Sequence, residues 1–236
     1  MNGARKFLEY GVQDVIQTYP AKTADISVIM GVNHELYNSE KHRVVSNASC
    51  TTKALAMPLQ VLLDNGIGIG ALAMDTTHAA TATQDVLGSL GQIITHSTGA
   101  AKAIGEVIPS LDGKMNGMSY RVPTLDGSFA NMYFVATSDG ELTAEIINDV
   151  MKNAASHPKY AGRLGVFEGK DAGTFDIVGR RENGVVLLSK TNVIPLSFGP
   201  KGKKASLVTM ISGYDNELQS AVDPVLLANY IGLARR

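Results

Sequence analysis

Strand-like and helix-like stretches interleave along the first half of this chain, and strands then crowd its second half, an order that few folds accommodate. After a short helical stretch at 3–10, apolar runs at 12–18, 26–30 and 44–46 read as strands, with a polar loop over 33–42. A helix begins at Thr51 and ends near Asp64-Asn65-Gly66, and Pro58 inside it predicts a kink or an early break. Residues 67–77 then form a strand leading into His78, and Ser97 or Thr98 caps a second helix over 100–108. Strand patterns follow at 118–122 and 129–136, an amphipathic helix at 143–153, further strands at 165–167, 185–188, 193–195 and 206–211, and a last helix at 225–232. The order predicts an α+β domain, a sheet with helices on one face, rather than a doubly wound nucleotide fold.

With 236 residues, 44% of them hydrophobic, the chain suffices for one large domain or a domain with an appendage. Its 21 basic and 22 acidic residues leave a net charge of −1, which argues against a nucleic-acid partner. A single cysteine forms no internal disulfide, so nothing indicates an oxidising compartment. No apolar run reaches the length of a bilayer span, and no apolar stretch follows the basic Arg5-Lys6. A cytoplasmic location without membrane insertion is therefore expected.

That cysteine, Cys50, stands where the extended run ending at Ser46 passes through Asn47-Ala48-Ser49 into the predicted helix. Unpaired N–H groups at a helix start favour the thiolate. Free cysteine is also among the most buried residue types, and a packed corner is the other reading. Nucleophilic catalysis needs a base nearby, and His78 ends the strand after the Cys50 helix. In a strand–helix–strand unit with parallel strands, both strand ends emerge on one side, which would make Cys50 and His78 neighbours. Hydroxyls crowd the same region, Ser97-Thr98-Gly99 opens a helix as an anion site does, and Arg121 offers a planar cation suited to phosphate. Taken singly, each hydroxyl also reads as turn or cap chemistry. No Gly-x-Gly-x-x-Gly follows a first strand, and no phosphate loop of the Gly-x-x-x-x-Gly-Lys type is present.

Together these stretches resemble the catalytic half of the glyceraldehyde-3-phosphate dehydrogenase family. The matching runs are Met30-Gly31-Val32-Asn33-His34-Glu35, Val45-Ser46-Asn47-Ala48-Ser49-Cys50-Thr51-Thr52, Thr76-Thr77-His78-Ala79, Ser97-Thr98-Gly99-Ala100-Ala101-Lys102-Ala103, Gly117-Met118-Ser119-Tyr120-Arg121-Val122-Pro123 and Tyr214-Asp215-Asn216-Glu217, in family order. The resemblance implies a mixed, largely antiparallel sheet with helices packed on one face, preceded by a remnant of a Rossmann-type domain. It divides the chain into a nucleotide-domain remnant at 1–46, a catalytic domain at 47–220, and a C-terminal helix at 221–236 that packs on the remnant.

The resemblance also implies roles. Cys50 attacks an aldehyde, His78 activates the thiol, and phosphate cleaves the resulting thioester. Ser49, Thr51 and Thr98 match the site for inorganic phosphate, Thr81, Thr83 and Arg121 the site for the phosphate of the aldehyde substrate, and Gly99 belongs with these phosphate- and substrate-binding residues. Asn216 matches the residue that holds the nicotinamide of NAD; no metal is implied.

The chain departs from the family in several places. The Gly-rich first turn and the ribose-binding acid are absent, and residues 83–95 replace a long cofactor- and subunit-contacting loop with a shorter one that contains no arginine. Lys53 and Ala54 stand where the family usually has Asn and Cys, Ala80 replaces an aromatic, and Gly213 and Leu218 replace tryptophans. The stretch from Cys50 to His78 is one residue longer than usual. The expected function is aldehyde oxidation through a Cys50 thioester, with NAD as hydride acceptor if a nucleotide-binding partner completes the site. One alternative is an impaired structural or regulatory subunit in a homo- or hetero-oligomer, and another is cofactor-free thiol chemistry.

Overall fold

A computed structural model describes residues 3–81, 88 and 90–235. The chain opens with α1 (Lys6–Glu9), β1 (Val15–Gln17), β2 (Ile26–Ser27) and β3 (Val44–Ser46), and these strands form a small parallel sheet in the order β1-β3-β2. Then come α2 (Cys50–Asp64), β4 (Gly68–Ala79), β5 (Ile94–Ser97), α3 (Ala100–Val107), β6 (Met115–Val122), β7 (Ser128–Ser138) and α4 (Ala144–Ser156). The remainder is β8 (Leu164–Phe167), β9 (Gly184–Leu187), β10 (Asn192–Leu196), β11 (Lys204–Tyr214) and α5 (Leu218–Ala234).

The second sheet is mixed and largely antiparallel, ordered β5-β6-β4-β7-β11-β9-β8, with β10 pairing along part of β11. Strand β7 shows why it folds this way. Ala130, Met132, Phe134 and Ala136 point into the core while the residues between them are more exposed, the period-two signature of a one-face sheet. Helix α2 lies over the sheet, flanked by α3 and α4, and is buried on nearly every side from Thr51 to Leu62. The predicted break at Pro58 does not occur, and α2 runs unbroken through it. Proline cannot donate to the carbonyl one turn earlier, that of Ala54. A Cβ at Gly184 would lie 3.0 Å from that oxygen, so β9 approaches the helix closely there because it carries no side chain.

Helix α5 starts at Leu218, earlier than predicted, and its Leu227 and Ile231 share a separate core with Val28, Met30, Tyr37 and Val45 of the small-sheet region. Among the described residues, no helix is long and apolar enough to cross a membrane.

Candidate functional site

Ser49 caps α2, accepting the Thr52 amide hydrogen bond at 3.1 Å, which leaves Cys50 as the first helical residue. The chain enters this cap through Ala48, buried and held at φ 55°. That is the left-handed region, costly for a residue with a Cβ. Fifteen residues of helix run about 22 Å out, and β4 returns alongside. The C-terminal end of β4 therefore comes back to the N-terminal end of α2, and Cys50 Sγ lies 3.6 Å from His78 Nε2. The neighbours expected from the sequence are real, but the expected reason is not. Strands β3 and β4 belong to different sheets, and the pairing comes from the return of β4 along α2.

A bulge decides which residue of β4 faces the helix. Between Ile69 and Leu72 the register slips by one residue against β7, so Ile69 and Leu72 are both buried. The inward parity changes from odd to even, and His78 rather than Thr77 turns into the core.

Parallel pairing of β4 with β6 sets Thr76 beside Ser119 and His78 beside Arg121. His78 Nδ1 lies 2.8 Å from the Ala79 carbonyl and also contacts the Arg121 guanidinium, which itself donates to Ala79 O at 3.1 Å. Guanidinium has only donors, so these contacts define two tautomers. A proton on Nδ1, given to Ala79 O, leaves Nε2 as an acceptor toward the thiol; a bare Nδ1 facing Arg121 puts the proton on Nε2. Burial, with the Arg121 charge adding to it, lowers the His78 pKa to about 4 against the opposing Ala79 contact. Burial pushes the Cys50 thiol up, opposed by the Thr51 amide and hydroxyl and by the charges of Lys53 and Arg121. At neutral pH the pair rests as thiol and neutral imidazole. The helix start tempers the thiol but does not overcome its desolvation.

A cleft of about 330 Å³ opens over this pair. Of the site residues read from the sequence, Ser49, Cys50, Thr51, His78, Thr81, Thr98, Gly99, Arg121 and Asn216 line its walls; Thr83 lies outside the described residues. The cap of α3 differs from expectation, because Gly99 takes the cap position and Thr98 Oγ1 accepts from the Ala100 amide at 3.2 Å. Thr51 is not a free hydroxyl. It bonds the Tyr214 hydroxyl at 2.8 Å, and Thr76 bonds the same group at 2.9 Å. The Asn216 oxygen accepts from the Ser128 hydroxyl at 3.0 Å and its amide donates to Glu217 at 3.1 Å.

Sequence reasoning missed the part played by Tyr214. Its ring meets His78 edge-on at 5.9 Å and its hydroxyl ties α2 to β4. The signal was present, since Tyr214 opens the Tyr-Asp-Asn-Glu run, but a tyrosine at a strand end gives no hint of its partner. Ser97, Ser119 and Glu217 also line the cleft. Among the described residues no three His, Cys, Asp or Glu side chains gather as a metal site.

The family model for the C-terminal domain of glyceraldehyde 3-phosphate dehydrogenase matches residues 49–216. Glyceraldehyde-3-phosphate dehydrogenase 1 of Bacillus subtilis (strain 168) is 37% identical over 239 residues, covering 97% of this chain and 67% of that protein. The enzyme of Geobacillus stearothermophilus is also 37% identical with the same coverage, and that of Chlamydia pneumoniae is 46% identical over 113 residues, 43% of this chain and 33% of its own length. The chain thus spans about two thirds of the length of the Bacillus and Geobacillus relatives. Motif order and the mixed sheet agree with these matches, and the chain belongs to the glyceraldehyde-3-phosphate dehydrogenase family through that family's C-terminal, catalytic domain.

Proposed function

We propose that this chain carries the acyl-transfer half of aldehyde dehydrogenase chemistry, with Cys50 as nucleophile and His78 as its base. The contact of 3.6 Å between Sγ and Nε2, inside a cleft walled by the start of α3 and by Arg121, carries this reading. In the Nδ1–H tautomer, His78 takes the thiol proton as sulfur attacks a carbonyl carbon, and its low pKa returns that proton readily. The cleft is at the small end of ligand sites, sized for a short phosphorylated aldehyde. The amides at the start of α3 and the Arg121 guanidinium supply donors for phosphate groups.

NAD, where a nucleotide-binding unit completes the site, would supply the hydride acceptor. The chain's own residues fit only its nicotinamide end, at Asn216. The cleft is small, the Asn216 amide already bonds Ser128 and Glu217, and the sequence has no Gly-x-Gly-x-x-Gly turn for the pyrophosphate. In this reading residues 1–46 form the remnant of a nucleotide domain, the helix at 221–236 packs against it, and 47–220 hold the chemistry in a cytoplasmic protein. The shared core of Val28, Val45, Leu227 and Ile231 supports that division. Mixing the chain with NAD, inorganic phosphate and glyceraldehyde 3-phosphate tests the full reaction. Slow NADH formation lost in Cys50→Ser supports the reading, and NADH formation that Cys50→Ser leaves intact contradicts it.

A second reading, a subunit of a larger assembly, is favoured by exposed apolar groups on adjoining loops. Phe175 is 95% exposed and Leu125 80%, and a Cβ on Gly127 would lie 2.8 Å from Thr174. Apolar groups so placed mark contact surfaces. Light scattering that gives a monomer unaffected by Phe175→Ser contradicts this reading.

A further inference from the structure

Lys53 lies in the first turn of α2, three residues after Cys50, a spacing that puts the two on one helix face. It is 1% exposed, and its Nζ lies 3.9 Å from Asp223 Oδ2 of α5, itself 2% exposed. A buried lysine without a counter-charge loses its proton. Here the counter-charge is itself fixed in place: Asp223 accepts from Asn47 Nδ2 at 2.7 Å and from Asn183 Nδ2 at 2.9 Å. Asn183 in turn takes a hydrogen bond from Gln219, whose amide also reaches the Cys50 carbonyl at 3.4 Å. The left-over amide oxygens of Asn47 and Gln219 are buried without a donor.

We propose that Lys53 is a positioning residue for Cys50: its buried ammonium, kept charged by Asp223, sets a fixed positive charge beside the thiol and stabilises the thiolate formed as the proton passes to His78. The inference rests on Cys50 being the nucleophile. Facing Cys50 are His78 of β4, Arg121 of β6, Tyr214 of β11 and Lys53 of α2, with Glu217 on the same cleft; facing Lys53 are Asp223 and Cys50, and His34 lies within the field of Asp223. Among the charges that lower the thiol pKa, Lys53 ranks above Arg121. Burial lowers the Lys53 pKa, and the charge of Asp223, followed by that of Cys50, opposes it in part.

The test is the pH dependence of Cys50 alkylation by iodoacetamide, which needs neither NAD nor aldehyde. Loss of dehydrogenase activity leaves this test valid, and its failure leaves the dehydrogenase reading standing. Lys53→Met is expected to raise the titration midpoint by about one pH unit, slowing alkylation at pH 7 about tenfold. Asp223→Asn raises it as well, because the unpaired lysine discharges. Lys53→Arg, which keeps the charge, holds the wild-type midpoint. Should Lys53→Met not fold, Lys53→Gln is read by the same rule. A midpoint unmoved by loss of the charge, or raised equally by Lys53→Arg, overturns the proposal.

Discussion

Cys50 Sγ and His78 Nε2 lie 3.6 Å apart although they come from opposite ends of a helix–strand return, and burial shifts their proton affinities in opposite directions. A thiol raised and an imidazole lowered make a neutral pair, not a standing thiolate–imidazolium pair. The base then acts at the moment of attack.

Alkylation of the ligand-free chain should therefore keep accelerating past the ordinary thiol range, about pH 8.5, because burial raises the Cys50 pKa. A rate profile against pH checks this, and a plateau below pH 7 would show the thiolate already formed at rest.

Folding stability should carry the mark of His78. Its folded pKa, about 4, lies below the unfolded value near 6.5, so its stabilisation is complete above pH 6.5 and is lost as pH falls toward 4. Over that window the loss amounts to about 3 kcal/mol. Urea unfolding at pH 7 and at pH 4 should show a drop in the wild type that shrinks by this amount in His78→Gln.

Register between β4 and β6 should be sensitive at Gly117. A Cβ there would lie 2.5 Å from Met74 Sδ and 2.8 Å from the Met74 carbonyl, and the same register aligns His78 with Arg121. Gly117→Ala should cost about 1–3 kcal/mol, as overpacking does. Alkylation of Cys50 should also lose its dependence on His78 as the strands separate. A variant as stable as wild type would remove this account of the glycine.

Much of the site was legible in the sequence because its chemistry sits in contiguous runs. Ser49-Cys50-Thr51 and Ser97-Thr98-Gly99 mark helix starts, and the cleft gathers them with His78, Arg121 and Asn216. The α+β order of most elements was legible from apolar patterning, but β5, with only Ile94 apolar among its four residues, was read as part of a connection. What was not legible depends on tertiary fit. The bulge at Gly70-Ala71 was not read from the sequence, yet it turns His78 inward toward Cys50. Ala48 gives no sign of its left-handed backbone, and Pro224 hid the early start of α5. Lys53 gave no sign in the sequence of its partner Asp223, which lies far along the chain.

The central claim is that Cys50 accepts an acyl group with His78 as its base, and acylation by an acyl phosphate tests it without any cofactor. In that step sulfur bonds the acyl carbon, the carbon–oxygen bond to phosphate breaks, inorganic phosphate leaves, and His78 takes the thiol proton. Intact-mass measurement after mixing the chain with acetyl phosphate should show one acyl adduct, absent in Cys50→Ser and formed about 100-fold more slowly in His78→Ala. No adduct, or equal rates in wild type and His78→Ala, would contradict the account.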